Sequence, residues 1–505
     1  MKNRSLPAQV ISGLLLAAVT FALTACGNVI YREPASNYSG RPIPPSGLLQ
    51  RVLATYTANG SQGGAEILDG LRDIRSNVQN TIPSFSISGF SAAEPVRIIS
   101  YPEELTGYVL SYPDGSLIAV NYGTEKSVGS VAAFGARPPS AAVATDGSLA
   151  AGAAESSGAL IVSGGGASYA LDLPNVDKVA INRGNTVILA MVRNSNSLYR
   201  VVRIPASSNP VNPPGSVDCE PRLLPVFCVV PVAGTYDHPV DASFSLDGNS
   251  VYVLNCGPEC GGTTAGVTFL QEGPLVITNV PTVNPIGAPP PLLPLPAGVP
   301  NPLPIPGGVT AALSDGTTLY ISGQQLQSSG QYAGLFAGNL TTLNLTSYAV
   351  TGQYSISDGN HSKMLFADDS TLWIGSQLCA NGPRAALAAQ QTAAGQVTTQ
   401  AANYNCLTRV TLGATPAIQI VPTVTQGGAA PVPVSYPNTN LNNYYYGDLT
   451  GICWVQNYHK VYTAYGGQIH AFNTPDGSEI NNSLITIQGT VLDVAYMDAL
   501  TNSAN

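Results

Sequence analysis

An Asp-Gly dipeptide between two β-rich runs recurs along this chain and constrains its fold more than any other feature. In the clearest copy, residues 244–255, Asp247 and Gly248 separate a short apolar run from the alternating run 251–255. Asp tolerates left-handed backbone and Gly adopts positive φ at little cost, so the dipeptide is typical of a tight β-hairpin. Related copies are centred on Asp114, Asp146, Arg183, Asp315 and Asp368.

The spacing of these copies indicates the architecture. Without insertions the units are about 40 residues long, the size of a four-stranded propeller blade. The N-terminal run 51–88 lacks a first strand and the C-terminal run 491–498 lacks the later strands, so the two ends are predicted to share one blade and close the ring. We therefore predict an all-β propeller. Seven blades are favoured and eight is the alternative, because the unit at 141–154 is short and weakly patterned.

Insertions interrupt the repeats. The propeller is assigned to residues 49–499, with insertions near 204–236, 281–306 and 380–405 and a tail at 500–505. The Pro-rich segment 281–306 cannot supply interior strands, because Pro donates no ladder hydrogen bond. The Ala/Gln-rich segment 380–405 is predicted to contain a short helix.

The strand that follows the turn carries a family resemblance. The run Val251-Tyr252-Val253-Leu254-Asn255 after Asp-Gly resembles the YVTN-type β-propeller repeat, and residues 117–121 are a fainter copy. The resemblance extends over most of residues 50–498. It implies a propeller but no particular activity, since such folds serve as binding modules, scaffolds and enzymes.

The N-terminus predicts export. Lys2 and Arg4 precede an apolar run at 10–23 that is short for a membrane-spanning helix, which is typical of a signal peptide. The tetrapeptide Leu23-Thr24-Ala25-Cys26 resembles the bacterial lipobox, which implies removal of residues 1–25 and acylation of Cys26. The alternative is an ordinary signal peptide with a coincidental cysteine.

The segment after the anchor fits an envelope location. Residues 26–48 are rich in Pro, Ser and Gly and are predicted to be an extended tether. By resemblance to lipoproteins, Gly27 after the cysteine favours the outer membrane over retention in the inner membrane. The acyl chains are the predicted membrane partner, because more than one chain gives stable anchoring.

Cysteine spacing predicts a disulfide framework, as expected in an oxidising compartment. Three local pairs are predicted: Cys219 with Cys228, Cys256 with Cys260, and Cys379 with Cys406. For the second pair a disulfide is favoured over half of a metal site, because no second close pair or adjacent His completes a tetrahedral set. Cys453 stands in an apolar string and is predicted to be a buried free thiol.

The charge balance excludes one class of partner. The chain has 20 Lys and Arg against 29 Asp and Glu, and charged residues are only 10% of the total. No basic patch is available to neutralise phosphates, so nucleic acid is not an expected partner. The surface is predicted to be polar but largely uncharged, and we expect a monomer.

One set of residues is predicted to meet at a mouth of the central channel, because loops that enter the inner strands of a propeller gather there. Its members are Asp237, His238, Asp358, His361, Tyr446 and Asp448. Imidazoles and carboxylates together suit a divalent cation or an acid/base pair. The alternative is that each residue is hydrogen-bonded separately within its own loop. No resident cofactor is otherwise expected.

A second candidate site is the loop containing Tyr444 and Tyr445. Tyr and Asn supply contact area and hydrogen bonds at low entropic cost, as in binding loops, although ordinary exposed loop tyrosines are the alternative. No nucleophile elbow, zinc-protease helix or phosphate loop occurs in the sequence. We therefore expect an envelope lipoprotein that binds protein or polysaccharide rather than an enzyme. The alternative is a metal-dependent, lactonase-like hydrolase or lyase.

Overall fold

The fold is described here from a computed structural model. This structure describes residues 42–75, 85–207, 210–224, 226–330, 333–395, 405–424, 432–433, 440, 442–444 and 446–501. The predicted signal segment 1–25, Cys26 and Tyr445 lie outside the described residues, as does most of the predicted tether. In the described ranges, no helix is both long and apolar enough to cross a membrane.

Eight antiparallel sheets, numbered here as blades in chain order, make up the propeller within the described part of the chain. In each blade the strands are named from the innermost outward. Blade 1 contains β34 (Thr490–Tyr496), β1 (Arg51–Thr57) and β2 (Gly63–Asp69). Blade 2 contains β3 (Pro95–Ile99), β4 (Thr106–Ser111), β5 (Ser116–Asn121) and β6 (Lys126–Ala133). Blade 3 contains β7 (Ser140–Val143), β8 (Leu149–Ala154), β9 (Ala159–Gly164) and β10 (Ala167–Asp172).

Blades 4 to 6 follow, and the first two of them carry long insertions. Blade 4 contains β11 (Val176–Ile181), β12 (Ile188–Val192), β13 (Leu198–Arg203), β15 (Phe227–Val232) and β14 (Asp218–Glu220). Blade 5 contains β16 (Pro239–Phe244), β17 (Ser250–Asn255), β18 (Gly266–Gln271) and β19 (Leu303–Pro304). Blade 6 contains β20 (Ala311–Ser314), β21 (Thr318–Leu326), β22 (Phe336–Asn344) and β23 (Val350–Ser355).

Two blades complete the ring. Blade 7 contains β24 (Asn360–Ala367), β25 (Thr371–Gln377), β26 (Leu407–Thr411) and β27 (Ala417–Val421). Blade 8 contains β30 (Leu449–Val455), β31 (Lys460–Tyr465), β32 (Gln468–Asn473) and β33 (Glu479–Ile480). A small ribbon of β28 (Thr423–Val424) and β29 (Val432–Pro433) and the helix α1 (Pro383–Ala393) lie outside the blades.

The innermost strands of neighbouring blades lie side by side around the inside of the ring. Inner strands contact one another in turn: β34 with β3, β7 with β11, β11 with β16, β16 with β20, β20 with β24, β24 with β30, and β30 with β34. The step from β3 to β7 is bridged by Arg97, whose guanidinium donates to the Ala141 carbonyl at 3.5 Å. The inner strands thus form a closed circle, and the predicted all-β propeller is confirmed.

The propeller has eight blades in the described part of the chain. Eight was the predicted alternative, and the favoured count of seven is wrong. The unit at 141–154 is a complete four-stranded blade despite its alanine-rich pattern. Its small side chains are matched by a large one from the preceding blade, because the buried ring of Phe134 occupies the space that a Cβ would take at Gly152. Blade 3 therefore takes part of its core from blade 2, which its own sequence does not reveal.

The recurring Asp supplies a hairpin turn, between the first and second strands of blades 3, 5 and 6 and between the second and third strands of blade 2. In each of four copies the Asp carboxylate accepts a hydrogen bond from the backbone N–H two residues later, at 2.8 to 3.2 Å. In the copy at Asp247 the same carboxylate accepts from Ser245 Oγ at 2.5 Å, and Gly248 has a φ of 69°. The dipeptide therefore provides both the local acceptor and the left-handed residue that the hairpin requires.

Blade 1 joins the two ends of the chain, as predicted. Strand β1 pairs with β34 on one side and with β2 on the other, both antiparallel. The fourth position is taken by the segment near Ile87, whose N–H donates to the Ala65 carbonyl at 3.0 Å. Because the first and last strands share one sheet, the ring has no open radial edge.

A buried arginine fastens this closure. Arg51, 3% exposed, pairs with Asp498 near the C-terminus at 2.6 Å and with Glu125 of blade 2 at 3.0 Å. It also donates to the Tyr122 carbonyl at 2.6 Å. One side chain therefore connects the first strand, the end of the last strand and the neighbouring blade.

The insertions lie at the outer edges and loops of blades. In the Pro-rich segment 281–306, the Asn301 side chain accepts from the Phe269 N–H at 3.0 Å and donates to the Phe269 carbonyl at 2.8 Å. This amide thus replaces the backbone pairing that prolines cannot provide. The Ala/Gln-rich insertion contains the predicted short helix, α1.

We expect Arg51→Met to lower the free energy of unfolding by about 3–5 kcal/mol, because it leaves the buried Glu125 and the Asp498 carboxylate without their cation. Urea unfolding followed by circular dichroism measures the change. The matched control is Arg222→Met, since that side chain is 82% exposed, and it should change stability by less than about 0.5 kcal/mol. Equal stability of the two variants would contradict the role assigned to Arg51.

Candidate functional site

The first pair of predicted channel-mouth residues belongs to the entrance of blade 5. Asp237 accepts hydrogen bonds from the Thr263 N–H at 2.8 Å and the Thr264 N–H at 2.7 Å, and its other oxygen lies 2.9 Å from His238 Nδ1. Burial would raise the pKa of Asp237, but the hydrogen bonds from Thr263, His238 and Thr264 hold it well below its usual range. Asp237 is therefore an ionised anchor for the loop after the Cys256–Cys260 disulfide.

The second pair enters blade 7. Asp358 is fully buried, forms an ion pair with Arg384 of α1 and accepts from the Gly338 N–H of blade 6 at 2.9 Å. His361 is also buried, and its Nε2 donates to the Ser357 carbonyl at 2.8 Å. Burial lowers the pKa of His361 to about 4. The imidazole is therefore neutral at pH 7, and its Nδ1 has no hydrogen-bond partner in the described structure.

The remaining predicted residues precede blade 8. Tyr446 is buried, its hydroxyl donates to Glu479, and its ring lies 4.9 Å from that of His470. Asp448 accepts from the Leu378 N–H at 2.8 Å. Tyr444, in the second predicted site, is half-buried, and its N–H donates to Asn440 Oδ1 at 3.1 Å.

Asp358 and Asp448 both bind the segment 378–384, which is held by the Cys379–Cys406 disulfide. No hydrogen bond or ion pair joins Asp237 or His238 to either of these carboxylates in the described ranges. Across the described residues, no group of three or more His, Cys, Asp and Glu is placed to hold a metal. The binding role of these residues stays a prediction.

The structure reveals a cleft that the sequence did not predict. A cavity of about 270 Å³ lies between the long hairpin of blade 6 and helix α1. Its polar lining includes four amide side chains, those of Gln325, Gln327, Asn339 and Gln353. Leu387 of α1 provides an apolar part, and Arg384 closes one side. Sequence reasoning missed the cleft because one wall comes from blade 6 and the other from the helix inserted in blade 7.

Hydrogen bonds between blades fix the walls of this cleft. Glu259, between the two cysteines of the blade 5 disulfide, accepts from the Gln324 N–H at 2.8 Å and from Gln324 Nε2 at 3.0 Å. The same Gln324 amide accepts from the Gly359 N–H of blade 7 at 3.0 Å. On the other wall, Arg384 donates to Asp358 and to Ser355 Oγ. The rim of blades 5, 6 and 7 is therefore preformed.

A second unpredicted feature is a set of charges on the inner strands. Lys178 lies 2.7 Å from Asp241 of the next blade, and Lys363 lies 3.6 Å from Asp493. Burial lowers the pKa of Lys363, Asp493 raises it, and Arg97 and Lys178 lower it further. These three cations therefore share one space with two carboxylates. The network fills the inside of the ring with side chains from five blades.

A bulge aligns these charges. In several inner strands the pairing skips one residue, and the next residue is charged, as at Arg97, Lys178, Asp241 and Lys363. In blade 8 the equivalent residue is Gly451, and Asp493 of blade 1 packs over it. Because Gly451 has no side chain, Asp493 reaches across blade 8 to Lys363 of blade 7. Alignment of the inner strands on the charged position before each apolar run would have revealed this set.

All three predicted disulfides are confirmed: Cys219–Cys228, Cys256–Cys260 and Cys379–Cys406. The first joins directly opposed residues of β14 and β15, so it fastens an outer hairpin of blade 4 rather than enclosing a free loop. Cys453 is buried and is the one unpaired cysteine of the described residues, as predicted, and burial raises the pKa of its thiol.

Comparison with known proteins gives fold-level likenesses only. No protein-family model and no curated protein matches the chain. Among solved structures, hydrazine synthase of Kuenenia stuttgartiensis is 15% identical, with 79% of this chain and 100% of that chain covered, at a TM-score of 0.43. Dihydro-heme d1 dehydrogenase NirN is 12% identical, with 91% and 79% covered, at 0.45. AztD of Citrobacter koseri is 9% identical, with 88% and 97% covered, at 0.43. Likenesses this low carry no conclusion about activity.

Gly451→Ala should destabilise the propeller by about 1–3 kcal/mol, because a Cβ there would overlap Asp493 Oδ1 and lie 2.6 Å from Val494 N. Urea unfolding measures the loss. Gly273→Ala is the matched control, since no atom lies within 4 Å of the Cβ that it adds, and it should leave stability within about 0.5 kcal/mol of wild type. A Gly451→Ala protein as stable as the control would show that Asp493 does not depend on this space.

The pKa of His361 predicts a pH effect. An unfolded histidine takes up its proton near pH 6.5 but the folded one only near pH 4, so stability is lost as the pH falls through this window. His361→Gln should remove a contribution of up to about 3 kcal/mol from the difference in unfolding free energy between pH 7 and pH 4.5. The exposed His459→Gln should not reduce this loss, because pairing with Asp369 raises the pKa of His459, so its protonation favours the folded state. Parallel pH profiles for all three proteins would contradict a buried neutral His361.

Proposed function

We propose that this protein is a lipid-anchored envelope protein of bacteria and that its propeller binds a protein or a polysaccharide. The proposed location of the anchor is the outer membrane. The observation that carries the proposal is the preformed, amide-lined cleft on the rim of blades 5 to 7. Such concave sites, with a few convergent polar groups on a rigid scaffold, are the usual places for ligands.

Rigidity of the rim favours binding. Two disulfides, Cys256–Cys260 and Cys379–Cys406, stand at the ends of the network that runs from Glu259 through Gln324 to the entrance of blade 7. A surface that is ordered before the ligand arrives loses less conformational entropy on binding. The rim therefore suits recognition, whereas the carboxylates predicted to meet at the channel mouth serve as partners of backbone N–H groups and Arg384.

Export and anchoring rest on the N-terminal sequence. The signal-like run and the lipobox-like tetrapeptide ending at Cys26 support acylation. Three disulfides in the folded body are in keeping with an oxidising compartment. Acyl chains on the first mature residue would hold the propeller at a membrane surface, at the end of the tether 26–48.

Cys26→Ser should abolish acylation and release the protein from the membrane fraction. The measurement is metabolic labelling with an alkyne fatty acid, followed by separation of outer-membrane, inner-membrane and soluble fractions. Cys453→Ala is the matched control, because it removes the unpaired thiol of the described residues and leaves the N-terminus intact. Label and membrane association that persist in Cys26→Ser would overturn the proposed anchor.

A further inference from the structure

The chemistry of the cleft between blade 6 and α1 selects a class of ligand. Arg384 is its one charged lining residue among those described, and this guanidinium is neutralised by Asp358. The cleft therefore offers no uncompensated charge to an anion or a cation. A ligand that fits it should be polar and uncharged.

The amides favour hydroxyl groups. Gln325, Gln327 and Gln353 each carry two N–H donors and one carbonyl acceptor at the lining of the cavity. A hydroxyl both donates and accepts hydrogen bonds, so neighbouring hydroxyls on a sugar ring complement the donors and the acceptors of a row of amides. Leu387 supplies an apolar surface for the C–H face of such a ring.

The size of the cleft limits the ligand further. Its volume, about 270 Å³, equals the liquid volume of roughly nine water molecules, enough for one sugar ring but not for a folded segment. A peptide strand could instead add to the free edge of β23, but that mode reads main-chain groups along the strand and needs no cavity. The cavity at the end of β23 therefore favours a sugar over a peptide.

The cleft is also held in shape without a ligand. Asp358 accepts from the Gly338 N–H of one wall at 2.9 Å and from the Arg384 N–H of the other at 3.1 Å. Arg384 in turn donates to Ser355 Oγ at the end of β23. The distance between the two walls is thus set by one buried carboxylate, so a rigid ring meets a preformed site.

We propose that this cleft binds a single uncharged sugar unit of a polysaccharide chain. The proposal rests on the binding role given above and names the ligand class. The amides of Gln325 and Gln353 hold the hydroxyls, Leu387 covers the ring face, and the Asp358–Arg384 pair fixes the walls.

The test uses the full-length protein in detergent and isothermal titration calorimetry. The probes are neutral tetrasaccharides of glucose, galactose, mannose or N-acetylglucosamine, a uronic-acid tetrasaccharide, and an unstructured Ala/Ser peptide. We expect wild type to bind at least one neutral tetrasaccharide with a Kd below about 1 mM. Gln353→Ala should weaken binding tenfold or more, equivalent to about 1.4 kcal/mol. The exposed Gln62→Ala, far from the cleft in blade 1, should bind as wild type does.

A second variant keeps the test independent of folding effects. Ala337→Phe places a ring in the cleft and leaves the amides in place, so it should abolish binding with an unchanged circular dichroism spectrum and melting temperature. Neutral sugar bound equally by wild type, Gln353→Ala and Ala337→Phe would overturn the cleft as the site and leave the binding role standing. Preference for the uronic-acid probe or the peptide would overturn the ligand class. No binding of any probe, together with no retention by immobilised envelope polysaccharide or envelope protein, would overturn the proposed function as well.

Discussion

The pairing of the last strand with the first is the contact on which the rest of the propeller depends. Each blade buries its two faces against its neighbours, so an open ring would expose two sheet faces and an edge. Strand β34 prevents this by serving as the innermost strand of blade 1. Arg51 reinforces the closure from the side, because its buried guanidinium binds Asp498 and Glu125 together. Stability is therefore concentrated where the chain ends meet.

Inside this closed circle the repeats carry charge rather than apolar side chains. A bulge in several of the inner strands turns one residue toward the neighbouring blades, and Lys178–Asp241 and Lys363–Asp493 pair across blades. Gly451 allows the second pair to span two blades. The inner network thus connects blades that share no backbone pairing, whereas the cleft of the rim lies between the outer strands of blade 6 and the inserted helix α1.

Much of the fold could be predicted from local sequence. Asp247 and its equivalents act through hydrogen bonds to residues two positions away, so the hairpins are encoded in a few adjacent residues. The three disulfides were also predictable, because each joins cysteines close in sequence. The blade count was harder to predict, since blade 3 depends on Phe134 of its neighbour to fill the space at Gly152.

The candidate sites show the limit of such reasoning. Asp358 and His361 were selected for their chemistry, but burial makes the histidine neutral and places the carboxylate between Gly338 and Arg384. Whether a polar side chain binds a ligand or holds the wall of a cleft in place depends on partners that are distant in sequence. The cleft itself needs β21 to β23 and α1 to meet.

The repeat, its turns, the disulfide pairs and the closure of the ring by the two ends can be derived from the sequence, because they follow from short-range hydrogen bonds and from the spacing of the units. The eighth blade, the charges shared by the inner strands and the uncharged cleft between blade 6 and α1 depend on the tertiary structure. Each of these arises from side chains of different blades, and their proximity is set by the packing of the whole ring.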